Sequence, residues 1–159
     1  PDGYKWMRAI VSGTTFKDNM DLNLFYDRES RKFSEHGYIG LYKDKSIRAI
    51  GKIKKTVLAI EMNGAMTYQT ESGETVTSEE IKRIEEAIRR ADDYGYNLRT
   101  ISHRYFIVEK FYPTDFRKSS KNPIQKSKFF NLADMFGYKV IPNTEQIATD
   151  LNGRTWEEF

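Results

Sequence analysis

The clearest helical signal in this chain runs from Thr77 to Tyr94, and nearly everything before it has the short period of strands. Thr77-Ser78-Glu79-Glu80 has capping-box spacing, with a threonine able to cap and a glutamate three residues on able to reach back. Ile81, Ile84, Ile88 and Ala91 then fall on one face, Glu85, Glu86, Arg89 and Arg90 on the other, and Gly95 can close the end. One long helix following a run of strands breaks the alternation that a parallel α/β sheet requires. The order predicts an α+β fold with a mainly antiparallel, twisted or barrel-like sheet and a few flanking helices.

The strand pattern begins at Tyr4 to Ser12, where Met7, Ala9 and Val11 alternate with Trp6, Arg8 and Ile10. Ser12-Gly13-Thr14-Thr15 breaks it, and the stretch to Asp21 reads as a loop or short helix. Leu22 to Asp27 and Gly37 to Lys43 are further strands. Asp44-Lys45 makes a tight turn, and Ile47 to Ile53 returns antiparallel. Val57 to Met62 and Met66 to Thr70 complete the run. After the helix, Arg99 to Tyr112 reads as a long strand ended by Pro113, and a basic loop spans Thr114 to Ser127. Lys128 to Phe136 reads as a helix stopped by Gly137, and Asn143 or Thr144 caps a last helix to about Leu151. With no repeat or linker, residues 1–159 read as a single domain, and the opening Pro1-Asp2-Gly3 suggests a piece of a longer polypeptide.

The chain contains no cysteine, which removes disulfides and thiolate metal sites from consideration. The longest apolar run is far short of a membrane span, so a cytoplasmic location away from membranes is expected. The net charge of +3 is unevenly spread: Glu71 to Asp93 holds eight acids and four bases, leaving the remainder at +7. The bases gather at Arg28, Arg31 and Lys32, at Lys43 to Lys55, and at Arg117 to Lys128. Ten tyrosines and ten phenylalanines are more than a small core needs. Basic clusters among flat side chains are the pattern by which proteins meet phosphates and bases, although a solvated lysine-rich face has the same composition.

No catalytic constellation is legible. His36 and His103 stand far apart without an evident ligand set, so no metal is expected, and no phosphate-cradling loop or nucleophile elbow occurs. Tyr38-Ile39-Gly40 resembles half of the GIY-YIG nuclease signature, whose upstream element is missing. Glu109-Lys110 lacks the spacer of the Glu-x-Lys pair of metal-dependent nucleases, and neighbours on a strand point to opposite faces. The reading is therefore non-catalytic, with a small metal-dependent nuclease or a peptide-binding module as alternatives and no cofactor expected.

Three segments resemble the PUA-like superfamily, and most its EVE branch, related to YTH and ASCH domains. Tyr4-Lys5-Trp6-Met7 is similar to the tryptophan-bearing first strand. Gly37-Tyr38-Ile39-Gly40-Leu41-Tyr42 with Ala49-Ile50-Gly51-Lys52-Ile53 is similar to the central strand pair. Arg104 to Tyr112, the loop to Lys126, and Phe129-Phe130-Asn131-Leu132 are similar to the closing strand and its succeeding segment. The resemblance implies a divergent member that takes a modified or flipped base into an aromatic pocket and directs a partner effector domain, as in modification-dependent restriction. On it, Trp6, Tyr26, Tyr42 and Tyr112 are the expected pocket walls, and Ser12, Thr14 and Asp27 bond the base edge. Arg28, Arg31, Lys32, Arg117, Lys118 and Lys121 are the expected phosphate ligands. Nucleic acid is the expected partner, DNA ahead of RNA.

Overall fold

The capping box forms as read. The Glu80 amide donates to Thr77 Oγ1 at 3.1 Å, and the Thr77 amide donates to Glu80 Oε1 at 2.9 Å. The computed structural model describes residues 2–124 and 127–159. Pro1, at the start of the chain, and Gln125 and Lys126, within the basic stretch read from Thr114 to Ser127, lie outside the described residues.

The strands are β1 (Trp6–Val11), β2 (Leu24–Arg28), β3 (Tyr38–Lys43), β4 (Ser46–Met62), β5 (Ala65–Thr70), β6 (His103–Arg117) and β7 (Lys128–Asn131). The α-helices are α1 (Phe16–Leu22), α2 (Ser78–Asp92), α3 (Leu132–Phe136) and α4 (Thr144–Leu151), and 3-10 turns cover Gly3–Lys5 and Trp156–Glu158. The strands hydrogen-bond in the order β2-β6-β4-β3-β1-β7, with β5 on β4. Only β1 with β3 is parallel among the pairs whose register is defined. The architecture is thus the expected α+β class with a mostly antiparallel sheet.

The chain packs as two compact units. The first comprises Pro1–Phe16, Ser34–Lys52 and Glu109–Phe159, and the second comprises Lys17–Phe33 and Ile53–Val108. In the first unit β1 lies between β3 and β7. Its Met7 and Ala9 join a core with Tyr38, Tyr42, Ile47, Phe116, Phe130, Ile147, Leu151 and Trp156. Arg8 and Ile10, on the opposite face, are buried as well, so the alternation of this strand separates two covered faces rather than core from solvent. Gly40 is required in β3 by close packing: a Cβ there would stand 3.0 Å from Met7 Sδ and 3.1 Å from Ile47 Cγ2.

In the second unit α2 lays Ile84, Ala87, Ile88 and Ala91 on Leu24, Val57, Ala59, Tyr105 and Ile107. Burying one isoleucine contributes about 1.5–3 kcal/mol. Beneath the first turn of α2, Lys55 Nζ donates to Glu80 Oε1 at 2.8 Å and to the Thr75 carbonyl at 2.6 Å. Both charged side chains are almost wholly buried.

The strands read from Leu22 and Arg99 begin at Leu24 and His103, and three further differences from the sequence reading have a clear physical reason. The strand expected to stop at Pro113 continues to Arg117: proline lacks an amide but tolerates extended backbone, and Thr114 ties to the Ala148 carbonyl at 2.6 Å while Phe116 is buried. The helix expected from Lys128 begins only at Leu132. Lys128–Asn131 instead pairs antiparallel with β1, and the Asn131 side chain caps the helix by accepting the Asp134 amide. The runs Ile47 to Ile53 and Val57 to Met62 are one continuous strand, β4, because the polar Lys54-Lys55-Thr56 between them remains extended.

Candidate nucleic-acid interface

In the first unit the turn between β3 and β4 is built by Asp44 and Lys45 in the left-handed region, at φ +51° and +61°. Two successive positive φ angles are the signature of a tight hairpin turn whose twist matches its strands. Neither residue is glycine, and the conformation is held from outside. The Lys118 amide donates to the Lys45 carbonyl at 2.8 Å, Lys45 Nζ donates to the Lys121 carbonyl at 3.1 Å, and Arg48 donates to the carbonyls of Lys43 and Asp44 at 2.9 Å each. These bonds join the Lys43–Arg48 cluster to the Arg117–Lys121 segment. Asp115 is the internal counter-ion: it accepts Ser46 Oγ at 2.5 Å and sits 3.4 Å from Arg48 and 3.5 Å from Arg117. The Ser46 hydroxyl, then the charges of Arg117 and Arg48, hold the Asp115 carboxyl below its ordinary value against the opposing effect of burial. Lys43 Nζ stands 5.3 Å over the Phe16 ring, so a flat side chain lies within the basic cluster.

The expected pocket residues of this unit do not converge. Trp6, half-buried, and Ser12, buried, bracket β1, and at about 3.3 Å per residue they stand roughly 20 Å apart. Ser12 is next to Tyr42, whose carbonyl accepts the Ser12 amide at 2.9 Å. Tyr42 is 3% exposed; its Oη accepts the Ile124 amide at 3.2 Å and its ring lies 5.6 Å from Trp156. Thr14 is exposed in the turn after β1. Tyr112, under Lys110 at 5.3 Å, lines a separate cavity of about 380 Å³ with Pro113, Glu145 and Thr149.

Two features of this unit escaped the sequence reading. Arg8 is 1% exposed in the middle of β1, with Nε donating to Ser127 Oγ at 3.1 Å. His36, edge-on to Phe129, faces a carbonyl of Ser34 at 2.8 Å; burial, reinforced by the charge of Arg8, pushes its imidazole down to about 4 despite that bond. The available signal was an arginine inside an otherwise apolar strand. The second feature is an open groove of about 760 Å³ lined by Tyr4, Lys5, Asp134, Tyr138, Lys139 and Val140, where Tyr4 is 56% and Val140 83% exposed.

In the second unit, Tyr26, Asp27 and Arg28 of β2 line one cavity of about 430 Å³ with Tyr96, Ile101 and His103. Tyr26 lies edge-on to His103 at 6.1 Å, and its hydroxyl is raised from the ordinary value by burial first and the charge of Asp18 second. His103 Nδ1 is 2.7 Å from the Ile101 carbonyl, which only an N–H can satisfy, so Nε2 is left as an acceptor. Burial lowers the His103 pKa, which keeps the ring neutral. Asp27 accepts the Arg28 amide at 3.1 Å and lies 3.5 Å from Arg31 Nε. Arg28, Arg31 and Lys32 are exposed on the same segment. Flat walls, a carboxylate, a neutral imidazole acceptor and nearby guanidinium groups suit a flat, hydrogen-bonding ligand with an anionic end. Among the described residues no group of three or more His, Asp or Glu side chains is disposed to hold a metal ion. No helix there is long and apolar enough to cross a membrane.

No protein-family model matches the chain, and no curated protein matches it. Among solved structures, the ASCH protein from Zymomonas mobilis superposes with a TM-score of 0.50 at 10% identity, covering 94% of this chain and 97% of that one. A serine-to-alanine mutant of the same protein gives a TM-score of 0.48 at 12% identity, covering 86% and 95%. The likeness is one of fold alone: the mostly antiparallel α+β architecture is similar to that of this ASCH protein.

Proposed function

We propose that this protein is a non-catalytic nucleic-acid-binding module. One observation carries the reading. Two basic stretches distant in sequence, Lys43–Arg48 and Arg117–Lys121, are hydrogen-bonded together into a single cationic surface. Lys45, Arg117, Lys118 and Lys121 are the phosphate ligands on that surface. Four such contacts on duplex DNA correspond to a salt slope of about −3 to −4 in log K against log salt. The PUA-like fold supports a nucleic-acid partner by analogy alone.

The finer reading is that the module recognises a modified or flipped base and directs an effector domain, as in modification-dependent restriction. The cavity of Tyr26, Asp27, Tyr96 and His103 supports it, because its volume of about 430 Å³ admits a nucleobase with its sugar and its walls supply stacking. Stacking on one aromatic contributes about 1–3 kcal/mol, which offsets the cost of extruding a base when phosphate contacts assist. Arg28, Arg31 and Lys32 would hold the flanking phosphates.

Fluorescence anisotropy with short DNA and RNA, single- and double-stranded, with and without a methylated base, tests both levels. Binding that weakens steeply with salt, and that falls on Lys45→Glu with Lys118→Glu, supports the module. No binding to any probe at low salt overturns it. Preference for one modified probe, abolished by Tyr96→Ala, supports the base pocket. Peptide binding is the second reading, favoured by the exposed Tyr4 and Val140 of the open groove. It is distinguished by weak salt dependence.

A further inference from the structure

The segment Arg117–Lys121 already holds a carboxylate. The Ser119 amide donates to Glu157 Oε1 at 2.8 Å, and the Ser119 hydroxyl donates to the same oxygen. An amide and a hydroxyl converging on one anionic oxygen form the donor set with which proteins hold phosphate oxygens. The neighbouring residues of this segment carry positive charge. Lys118 is tied to the Ser120 hydroxyl, and Lys45 reaches the Lys121 carbonyl at 3.1 Å.

The chain brings Glu157 to this place by a separate anchor. Trp156 is buried, and its indole N–H donates to the Phe116 carbonyl at 2.9 Å. The Arg117 amide donates to the Arg154 carbonyl at 3.1 Å, and Arg117 bridges Thr155 in parallel. The anchor therefore persists if Glu157 lets go. Glu157 and Ser119 are exposed, so the carboxylate can return to water without a burial cost.

We propose that the Ser119 amide and hydroxyl, flanked in the chain by Lys118 and Lys121, form an oxyanion seat for a phosphodiester, and that the Glu157 carboxylate occupies it until phosphate displaces it. The proposal deepens the nucleic-acid reading and, for the identity of the anion, rests on it. Glu157 is a built-in competitor that lowers affinity for weak, non-specific contacts. The two Ser119 hydrogen bonds hold its carboxyl at about 2, so exchange proceeds by competition rather than by protonation at ordinary pH.

A purely structural tie makes the opposite prediction, because cutting it would loosen the loop and leave binding unchanged or weaker. The full chain carrying Glu157→Gln or Glu157→Ala is titrated with the same short oligonucleotide as the unaltered chain. Affinity should rise roughly twofold to fivefold, the scale of one exposed charge contact. The salt slope should steepen by about 0.7–0.9, equivalent to one added phosphate. Unchanged or weaker binding with an unchanged slope overturns the proposal.

A second readout separates this proposal from the reading beneath it. The Ser119 amide resonance is followed while inorganic phosphate is added. A saturable shift that occurs at lower phosphate in Glu157→Gln than in the unaltered chain supports the seat, even if no oligonucleotide binds and the nucleic-acid reading fails. If oligonucleotides bind all three chains alike and phosphate leaves Ser119 unmoved, the seat is refuted and the broader reading stands.

Discussion

Lys55 and Glu80 form an ion pair whose contribution can be worked out in two independent ways. Glu80 is 1% exposed and Lys55 7% at the side chain, and their charged atoms are 2.8 Å apart. Burial by itself would raise the Glu80 carboxyl. The bonds from Lys55 and from the Thr77 amide and hydroxyl outweigh it and hold the group at about 2, against an ordinary 4.5. That gap corresponds to roughly 3–4 kcal/mol at about 1.4 kcal/mol per pH unit. Because the folded value is depressed, this stability is present in full above the unfolded value and is lost as pH falls from about 4.5 towards 2. The second route is removal of one partner. Lys55→Met leaves the buried carboxylate with only the half-exposed Lys54, 3.7 Å from its other oxygen, as counter-ion, which costs up to about 3–5 kcal/mol, or a fall in Tm of up to about 6–20 °C for a chain of this size. Glu80→Gln preserves the capping geometry but removes the titrating charge, so it should be destabilised at neutral pH and show a flatter loss in acid. Urea unfolding of the three chains across the acid range measures both quantities. A cost under about 1 kcal/mol for Lys55→Met, or an undiminished acid loss in Glu80→Gln, would refute the reasoning.

Gly37→Ala should destabilise the first unit by about 1–3 kcal/mol, because its Cβ would stand 2.9 Å from the Tyr4 Cα, a backbone atom that cannot rotate away. Thermal melts would show this, and an unchanged Tm would contradict it. His36 should remain neutral down to about pH 4 in the folded chain, and because its folded value lies below the free one, its contribution to stability falls as pH drops from about 6.5. An NMR titration with a midpoint near 6.5 would disprove the burial argument. Trp156→Phe keeps most of the aromatic contact with Phe130, at 4.9 Å, but orphans the Phe116 carbonyl, for a cost of about 1–3 kcal/mol in chemical denaturation. A loss below about 0.5 kcal/mol would show that this indole bond is not needed.

Legibility in the sequence tracks the range of the interactions involved. The capping box and the amphipathic α2 are set by neighbours within a few residues and formed where the sequence placed them; the Asp44-Lys45 turn formed there too, held in addition by Lys118 and Lys121. The start of α3 and the passage of β6 through Pro113 depend on partners far along the chain, β1 and Ala148, so local pattern misjudged both. The candidate site divides in the same way. Tyr26, Asp27 and Arg28 are consecutive and line one cavity together, whereas its other wall, Tyr96 and His103, needed the fold to bring it there. Arg8 was hidden because burial of both faces of β1 is a property of the sheet and not of the strand. Glu157 was hidden because its role depends on the buried Trp156 beside it.

The left-handed turn at Asp44 and Lys45 has a consequence for how this sequence tolerates variation. Asparagine and glycine suit such positions, and a non-glycine residue there costs about 1 kcal/mol. A library selected for heat resistance alone should therefore drift towards glycine at position 45. That drift would relieve the backbone while erasing a cation from the surface. If the proposed function holds, selection for nucleic-acid retention should keep the lysine in spite of its strain, so the two selections would pull this one codon in opposite directions.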